Sequence, residues 1–299
     1  MVLASGIFWG LSGTASQILF QHEHFASAWL VVIRMIFTGM VLVIWGTLKK
    51  EPVVALIRDR KMRLRLVIFA IFALAGVQYT YFKAIADGNA ASATLLQYMG
   101  PPMIVGFLAL RARMWPSKPA LTALVLATLG TAFLVTGGHF ARLQVPLPAV
   151  VWGLLSAACL AFNTLYPIPL IDRYGSMAVV GWSMLIGGVA SIAIGPVWRL
   201  PLGIWTWESW LLVAFVVLLG TLAAFTLYLA SLRHIAPSEA SLLATVEPVA
   251  AVLASMAFLS VRLDGMALAG GTAIVAAIIL LSRGARPRLP APAPSLSEE

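Results

Sequence analysis

The chain has 299 residues, of which 61% are hydrophobic and only 10% are charged, and its mean hydropathy is +0.95. Soluble domains carry about 25% charged residues, so no soluble core could bury this much apolar surface. The net charge of +9 and the pI near 10.2 would also suit a nucleic-acid-binding protein, but the placement of the basic residues excludes that class.

Ten apolar runs follow one another along the chain and approach the length of about 20 residues that crosses a membrane as a helix. A soluble α/β protein with buried strands would instead show apolar runs of about 4 to 8 residues. We therefore predict an all-α integral membrane protein with ten transmembrane helices. Their predicted ranges are 3–20, 28–48, 66–86, 90–110, 120–137, 148–170, 177–197, 208–232, 238–260 and 265–282.

The basic residues fall unevenly on the two sides of these spans. If the N-terminus is cytoplasmic, fifteen of the twenty Lys and Arg residues lie on the inside, and only Arg142, Arg199 and Arg262 lie outside. The positive-inside rule then places both termini in the cytoplasm. The charge faces anionic lipid headgroups, so we expect membrane lipids and no nucleic acid as partners, and the bacterial inner (plasma) membrane as the location.

The two halves of the chain share a spaced set of residues. Tyr81, Ala93, Leu95, Leu96 and Pro101 are matched 147 positions later by Tyr228, Ala240, Leu242, Leu243 and Pro248. We predict one five-helix repeat over residues 1–140, a second over 147–283, and a disordered cytoplasmic tail over 284–299. Because five is odd, the second repeat is inverted, as in many carriers that alternate access about a site between two halves.

The first two spans offer two candidate sites. Gly10-Leu11-Ser12-Gly13 fits the serine motif of rhomboid-type intramembrane proteases, but the four histidines read as loop or span-end residues, so Ser12 lacks a base and we expect no enzyme.

An ionisable residue inside a span costs about 2.5–3.5 kcal/mol at the membrane centre and needs a reason. We predict that Arg34 serves gating or coupling by pairing with Glu247, with contact to a substrate carboxylate as the alternative.

Spans 3 and 4 carry a cluster of aromatic and amide side chains. Gln and Tyr can hydrogen-bond an amino-acid head group while the rings pack against an apolar side chain. The residues predicted to bind substrate here are Gln78, Tyr79, Phe82, Gln97 and Tyr98. Lys83 is assigned to gating or coupling, although its spacing from Asp87 also favours an i,i+4 ion pair at the membrane interface. Pro101 predicts a helix kink.

The second half adds Asn163, Trp182 and Thr245 to the predicted substrate site. Glu247 precedes Pro248, which predicts a kink and frees the backbone carbonyl of Ala244. Glu247 is a candidate proton carrier or partner for a substrate amine, and the alternative is a structural bridge between two helices. Small residues such as Gly6 and Gly270 indicate close helix packing and leave a homodimer open. No residue cluster indicates a cofactor or a metal.

These residues resemble a known family. The stretch from Tyr81 to Pro101, its counterpart from Tyr228 to Pro248, the pairs Trp9-Gly10 and Trp152-Gly153, and Arg34 are similar to the paired EamA-type repeats of the drug/metabolite transporter superfamily. The resemblance covers nearly the whole chain and is closest to the YddG-type exporters of aromatic and other neutral amino acids. A Gly-Glu pair that the family often has near the ends of spans 4 and 9 is missing here.

The resemblance implies a secondary or facilitative transporter that exports small amphipathic metabolites, above all aromatic or large neutral amino acids, by alternating access. A carrier for drugs, nucleotide-sugars or lipid precursors is the alternative. Phosphate-bearing cargo would favour more basic residues inside the spans than Arg34 and Lys83. The intramembrane serine protease is the remaining alternative.

Overall fold

The computed structural model describes residues 1–139, 143–193, 206–231, 234–235, 240 and 243–284. Within these residues the regular structure is helical. The α-helices are α1 (Val2–Gln21), α2 (Ser27–Leu48), α3 (Val53–Arg58), α4 (Arg60–Ile68), α5 (Gly76–Asp87), α6 (Ala90–Gln97), α7 (Gly100–Ala112), α8 (Lys118–Thr136), α9 (Leu147–Leu165), α10 (Ile168–Tyr174), α11 (Ser176–Ser191), α12 (Trp207–Ala214), α13 (Ala224–Ser231), α14 (Val246–Leu259) and α15 (Gly265–Gly284).

Eight helical stretches are long and apolar enough to cross a membrane. They are Val2–Gln21, Ser27–Leu48, Arg60–Asp87, Ala90–Ala112, Lys118–Thr136, Leu147–Leu165, Trp207–Tyr228 and Gly265–Ser282. The predicted spans 7 and 9 coincide with the shorter apolar helices α11 and α14. Parts of both predicted spans, and the predicted tail beyond Gly284, lie outside the described residues.

Polar side chains begin several of these helices by binding free backbone N–H groups. The Asp59 carboxylate accepts hydrogen bonds from the Lys61 and Met62 amides at the start of α4. The Asn89 side chain does the same for the Ser92 amide at the start of α6. Such caps replace the intrahelical bonds that the first turn of a helix lacks, so the sequence fixes these helix starts locally.

Two spans contain a π-helical segment at corresponding positions of the two halves. One segment, Phe69–Ala75, joins α4 to α5, and the other, Phe215–Ala223, joins α12 to α13. The repeat spacing of 147 residues carries 69–75 onto 216–222, inside the second segment. Because π-helical turns are rare and are found mostly at functional sites, their recurrence marks these two spans as specialised elements.

The helices of one half pack mainly on those of the other. α1 contacts α14 and the span from α12 to α13, and α9 makes the mirrored contacts with α6, α7 and α5. α2 packs on α11, and α8 on α15. Glycines allow the closest approaches: a Cβ on Gly130 would lie 2.6 Å from the Gly270 oxygen, and one on Gly10 would lie 2.7 Å from the Ala251 nitrogen. Small residues therefore bring backbones together, as the sequence predicts.

Candidate functional site

The fourth span is interrupted just before its proline pair. α6 ends at Gln97 and α7 begins at Gly100, with Tyr98 and Met99 in a turn between them. In the second half, Thr245 is the turn residue that precedes α14, and Pro248 is the third residue of that helix. Because proline lacks an N–H group, helical bonding cannot continue normally through either position. Both prolines thus lie beside a break in the helix.

The two interrupted segments meet through Tyr98 and Glu247. The Tyr98 hydroxyl lies 2.9 Å from Glu247 Oε2 and 3.0 Å from the backbone oxygen of Ala244. Ala244 is the residue whose carbonyl Pro248 frees, so the tyrosine supplies the donor that the proline removes. Glu247 is only half-buried within the protein, and no described residue contacts its Oε1 by a hydrogen bond.

Arg34 lies over the ring of Phe82, with 4.7 Å between the guanidinium carbon and the ring centroid. Arg34 is 4% exposed, and Phe82 is completely buried. Arg34 and Glu247 interact electrostatically. They do not form the predicted ion pair, since the ion pairs among the described residues are Lys83–Asp87 and Arg173–Asp59. The guanidinium is therefore held by an aromatic face rather than by a carboxylate in contact.

Two of the predicted residues on spans 3 and 4, Gln97 and Tyr79, face α9. The Gln97 amide donates to Ser156 Oγ at 2.7 Å, and the Tyr79 ring packs edge-to-face on Trp152 at a centroid distance of 6.0 Å. Gln78 is buried one helical turn before Phe82, and none of the described residues hydrogen-bonds its amide. The apolar sequence around Ser156 gives no signal of its role, because serines within apolar helices commonly serve packing.

Neither predicted residue of spans 6 and 7 forms a hydrogen bond with Tyr98 or Glu247 in the described part of the chain. Trp182 donates its indole N–H to the Val53 backbone oxygen at 2.9 Å and packs with α3. Asn163 is half-buried, and its Oδ1 is enclosed without a hydrogen-bond partner in the described part of the chain.

Lys83 forms the i,i+4 ion pair with Asp87 that its spacing predicts, at 3.2 Å.

The two ends of the bundle differ in charge. We call the end with Lys49–Arg65 and Arg173 the basic end, and the end with Glu23, Asp87 and Asp264 the opposite end. A cavity of about 630 Å³ lies at the basic end between α2, α11 and α13. Its lining residues are Trp45, Lys49, Glu51, Pro52, Arg173, Tyr174, Gly175, Ser176, Met177, Thr226, Leu227 and Ala230. None of the predicted substrate-binding residues is among them.

At the opposite end, polar contacts join the two halves. Ser209 Oγ donates to Glu23 Oε2 at 2.5 Å. The Gln144 amide donates to Asp264 Oδ2 at 2.6 Å. The pKa of Asp264 lies below its usual value, mainly because its carboxylate accepts a hydrogen bond from the Ala267 backbone amide and in addition because of the Gln144 bond. The Ser209–Glu23 bond crosses from one half to the other, and the Gln144–Asp264 bond ties the segment between the halves to the second half, so both fasten this end while the basic end holds a cavity.

Asp59 links the basic loop to the last two residues of α10. Its carboxylate accepts a hydrogen bond from the Tyr174 hydroxyl at 2.6 Å and pairs with Arg173 at 3.2 Å. The Tyr174 bond contributes most to a lowered pKa of Asp59, and the same bond raises the pKa of Tyr174. Sequence reasoning did not identify this contact, because its partners are 115 residues apart.

Comparison with known proteins identifies relatives over nearly the whole chain. The model of the EamA-like transporter family matches residues 1–136 and 147–283. An uncharacterized inner membrane transporter, YicL, of Salmonella typhimurium is 34% identical over 96% of this chain and 95% of its own. The threonine/homoserine exporter RhtA of Salmonella typhimurium is 26% identical over 73% of this chain and 70% of its own.

A solved crystal structure shares the fold, with a TM-score of 0.59 and 19% identity over 94% of this chain and 98% of its own. The family match covers most of both halves, and the relatives are membrane transporters. The chain therefore belongs to the EamA-like transporter family of the drug/metabolite transporter superfamily and is an integral protein of the bacterial inner membrane.

Proposed function

We propose that the protein is a secondary or facilitative carrier that exports small amphipathic metabolites, chiefly aromatic or large neutral amino acids of the kind that YddG-type exporters carry. It does so with ten spans in two inverted five-helix repeats and with both termini cytoplasmic. The observation that carries the proposal is the Tyr98–Glu247 hydrogen bond, which joins the interrupted segments of the two halves. Carriers of this architecture place their site between the repeats, at broken helices near the membrane midplane.

The difference between the two ends supports alternating access. The cavity of about 630 Å³ at the basic end falls within the usual range for ligand pockets, about 300–1,000 Å³. The basic end faces the cytoplasm in the proposed orientation. Contacts between the halves, such as Ser209–Glu23, close the opposite end. Substrate thus enters from the cytoplasm and leaves when the contacts at the opposite end open.

The chemistry of the spans supports an amino acid with an apolar side chain. Tyr79, Trp152 and Phe82 supply rings, while Gln78 supplies an amide that no described residue hydrogen-bonds. Rings pack against apolar side chains, and amides bind head groups. The relative RhtA is an exporter of threonine and homoserine, which are also neutral amino acids, and this favours the same class for our chain.

Glu247 is the proposed coupling residue, because the Tyr98 hydroxyl has one hydrogen and two acceptors. When Glu247 is ionised, Ala244 and the carboxylate compete for that hydrogen. When Glu247 carries a proton, its own O–H can donate to the tyrosine oxygen while Tyr98 donates to Ala244. Gain and loss of one proton therefore change the bonding between the two halves, which is what a proton-coupled carrier requires.

Proteoliposomes test the proposal. Vesicles with purified protein and an internal pool of unlabelled phenylalanine should accumulate labelled phenylalanine by counterflow, whereas empty liposomes should not. An imposed proton gradient should change the rate in the wild type and not in Glu247→Gln. If no aromatic or large neutral amino acid shows counterflow, the proposed substrate is wrong. If Glu247→Gln responds to the gradient like the wild type, Glu247 is not the coupling residue.

A further inference from the structure

Arg34 is a buried cation that contacts no anion among the described residues. It lies within the span Ser27–Leu48 and is 4% exposed. A charge in this position is strongly unfavourable unless it is paired and hydrogen-bonded. The guanidinium has five N–H donors, and none of them meets an acceptor in the part of the chain that the structure describes. A buried guanidinium with unsatisfied donors indicates a binding site for a ligand that carries hydrogen-bond acceptors.

The packing around Arg34 fixes the guanidinium without satisfying its donors. Phe82 lies beneath it at 4.7 Å, and Phe82 is itself held by Phe20 at a ring centroid distance of 5.5 Å. A cation over an aromatic face is attracted to the ring but donates its N–H groups at the edges of its own plane. The ring therefore takes up none of the N–H groups of the guanidinium, and they remain for an acceptor with two oxygens.

A second polar side chain without a hydrogen bond among the described residues lies on α5, the helix that carries Phe82. Gln78 is 7% exposed and stands one turn before Phe82, on the same face of α5. Its amide lacks a hydrogen-bond partner among the described residues, as the Arg34 guanidinium does. Two buried polar side chains without partners, one on α2 and one on α5, indicate a site built for a ligand rather than a packing contact.

The charges nearby define the ligand. Glu247 interacts electrostatically with Arg34, so an anion bound at Arg34 has a negative neighbour when Glu247 is ionised. The sequence places two basic residues inside the predicted spans, Arg34 and Lys83. Lys83 is paired with Asp87. One available cation beside one acid suits a monoanion and disfavours the dianionic phosphate of a nucleotide-sugar. A carboxylate is a planar monoanion with two oxygens, which matches the guanidinium edge.

We propose that Arg34 binds the carboxylate of the transported amino acid, held over Phe82, with Gln78 as a further hydrogen-bonding group. The inference rests on the proposed transport function and deepens it, because it makes the carboxylate a requirement for recognition. A carrier that selects only for apolar bulk would accept an amino alcohol or an amine equally well. Arg34 thereby has a binding role in place of the gating pair with Glu247 that the sequence predicts.

Substrate analogues test this on the wild-type protein. In proteoliposomes, phenylalanine, phenylalaninol and phenethylamine should compete with labelled phenylalanine, and the last two lack a carboxylate. We expect the two analogues to need concentrations about 10- to 100-fold higher, the loss expected for a hydrogen bond to a charged group. Equal competition by phenylalaninol overturns the assignment of Arg34 and leaves transport established. Absence of counterflow for every amino acid instead overturns the proposed function, and this assignment with it.

Variants of Arg34 test whether this residue causes the preference for a substrate with a carboxylate. Arg34→Gln should reduce the preference for phenylalanine over phenylalaninol to nearly equal competition, and Arg34→Lys should keep part of it, because lysine has the charge without the planar fork. Arg65→Gln is the matched control: Arg65 also lies over a ring, that of Tyr166 at 4.9 Å, but it donates to the Tyr166 backbone oxygen. Arg34 variants that fold and retain the wild-type preference contradict the proposal; if Arg34→Gln does not fold, Arg34→Lys and the analogue series decide.

Discussion

The Tyr98 hydroxyl lies 2.9 Å from Glu247 Oε2, and these are two positions at which the duplicated halves differ. The counterpart of Tyr98 in the second half is Thr245, and the counterpart of Glu247 in the first half is Gly100. Each half therefore supplies one member of the contact, the donor from the first half and the acid from the second, so the contact is asymmetric although the two interrupted segments correspond.

Removal of the Tyr98 hydroxyl should slow transport. Tyr98→Phe leaves Glu247 and the Ala244 oxygen without their donor, and the loss of such hydrogen bonds costs about 0.5–3 kcal/mol. We expect the counterflow rate of the folded variant to fall by roughly 10-fold. Tyr166→Phe is the control, because no described residue hydrogen-bonds the Tyr166 hydroxyl, and its rate should be unchanged.

A double-mutant cycle tests whether Tyr98 acts through Glu247. If the contact is functional, Tyr98→Phe should add little to the defect of Glu247→Gln, with an interaction energy of about 0.5–3 kcal/mol between the two changes. Rates of the wild type, both single variants and the double variant give this energy directly. Additive effects would show that the two residues act independently.

The sequence indicated the membrane helices and the kinks because hydropathy and proline act locally. It also indicated the free carbonyl of Ala244, but not that Tyr98 of the other half would bind it. The roles of Ser156 and Trp182 depend on which helices become neighbours, which local pattern does not specify. The sequence did not indicate the π-helical segments, because hydropathy does not distinguish an i→i+5 turn from an α-helical one.

Close packing between α1 and α14 predicts a strong effect of a single methyl group. In Gly10→Ala the new Cβ would lie 2.7 Å from two backbone atoms of α14, the Ala251 nitrogen and the Glu247 carbonyl oxygen. The helices must therefore separate. Overpacking of this kind destabilises by about 1–3 kcal/mol. We expect a lower thermal unfolding midpoint in detergent, measured by intrinsic tryptophan fluorescence, and slower transport, because Glu247 lies on the displaced helix.

Gly106→Ala provides the comparison for that variant. No atom lies within 4 Å of a Cβ at Gly106, so the methyl group meets no protein neighbour. Alanine also has the higher helix propensity, by about 1 kcal/mol. The midpoint of this variant should stay the same or rise, and an equal fall in both variants would refute the packing argument.

The contact between Ser209 and Glu23 should control access from the opposite end. Glu23→Ala removes the acceptor of the 2.5 Å bond, and a hydrogen bond to a charged group contributes about 1.5–3 kcal/mol. A cysteine placed at the buried Val213, one turn after Ser209, on a Cys159→Ser background, reports opening. We expect an impermeant maleimide to label it about 10-fold faster in Glu23→Ala. Glu208→Ala, which removes an exposed acid beside Ser209, should label at the original rate.

The pH dependence of stability should reveal the Asp59 contact at the basic end. The Tyr174 hydrogen bond lowers the pKa of Asp59 from 3.8, so its ionised form is favoured in the folded protein. This stabilisation is present in full above the unfolded value and is lost as pH falls through the lowered folded value. The unfolding midpoint, followed from pH 7 to pH 3, should therefore have a component that declines only below about pH 4.

Asp59→Asn should lower the midpoint at neutral pH and remove that component, because the amide can still cap α4 but cannot pair with Arg173. Asp172→Asn changes an exposed neighbouring acid and should keep the wild-type profile, so a shared profile among all three proteins would place the acid sensitivity elsewhere.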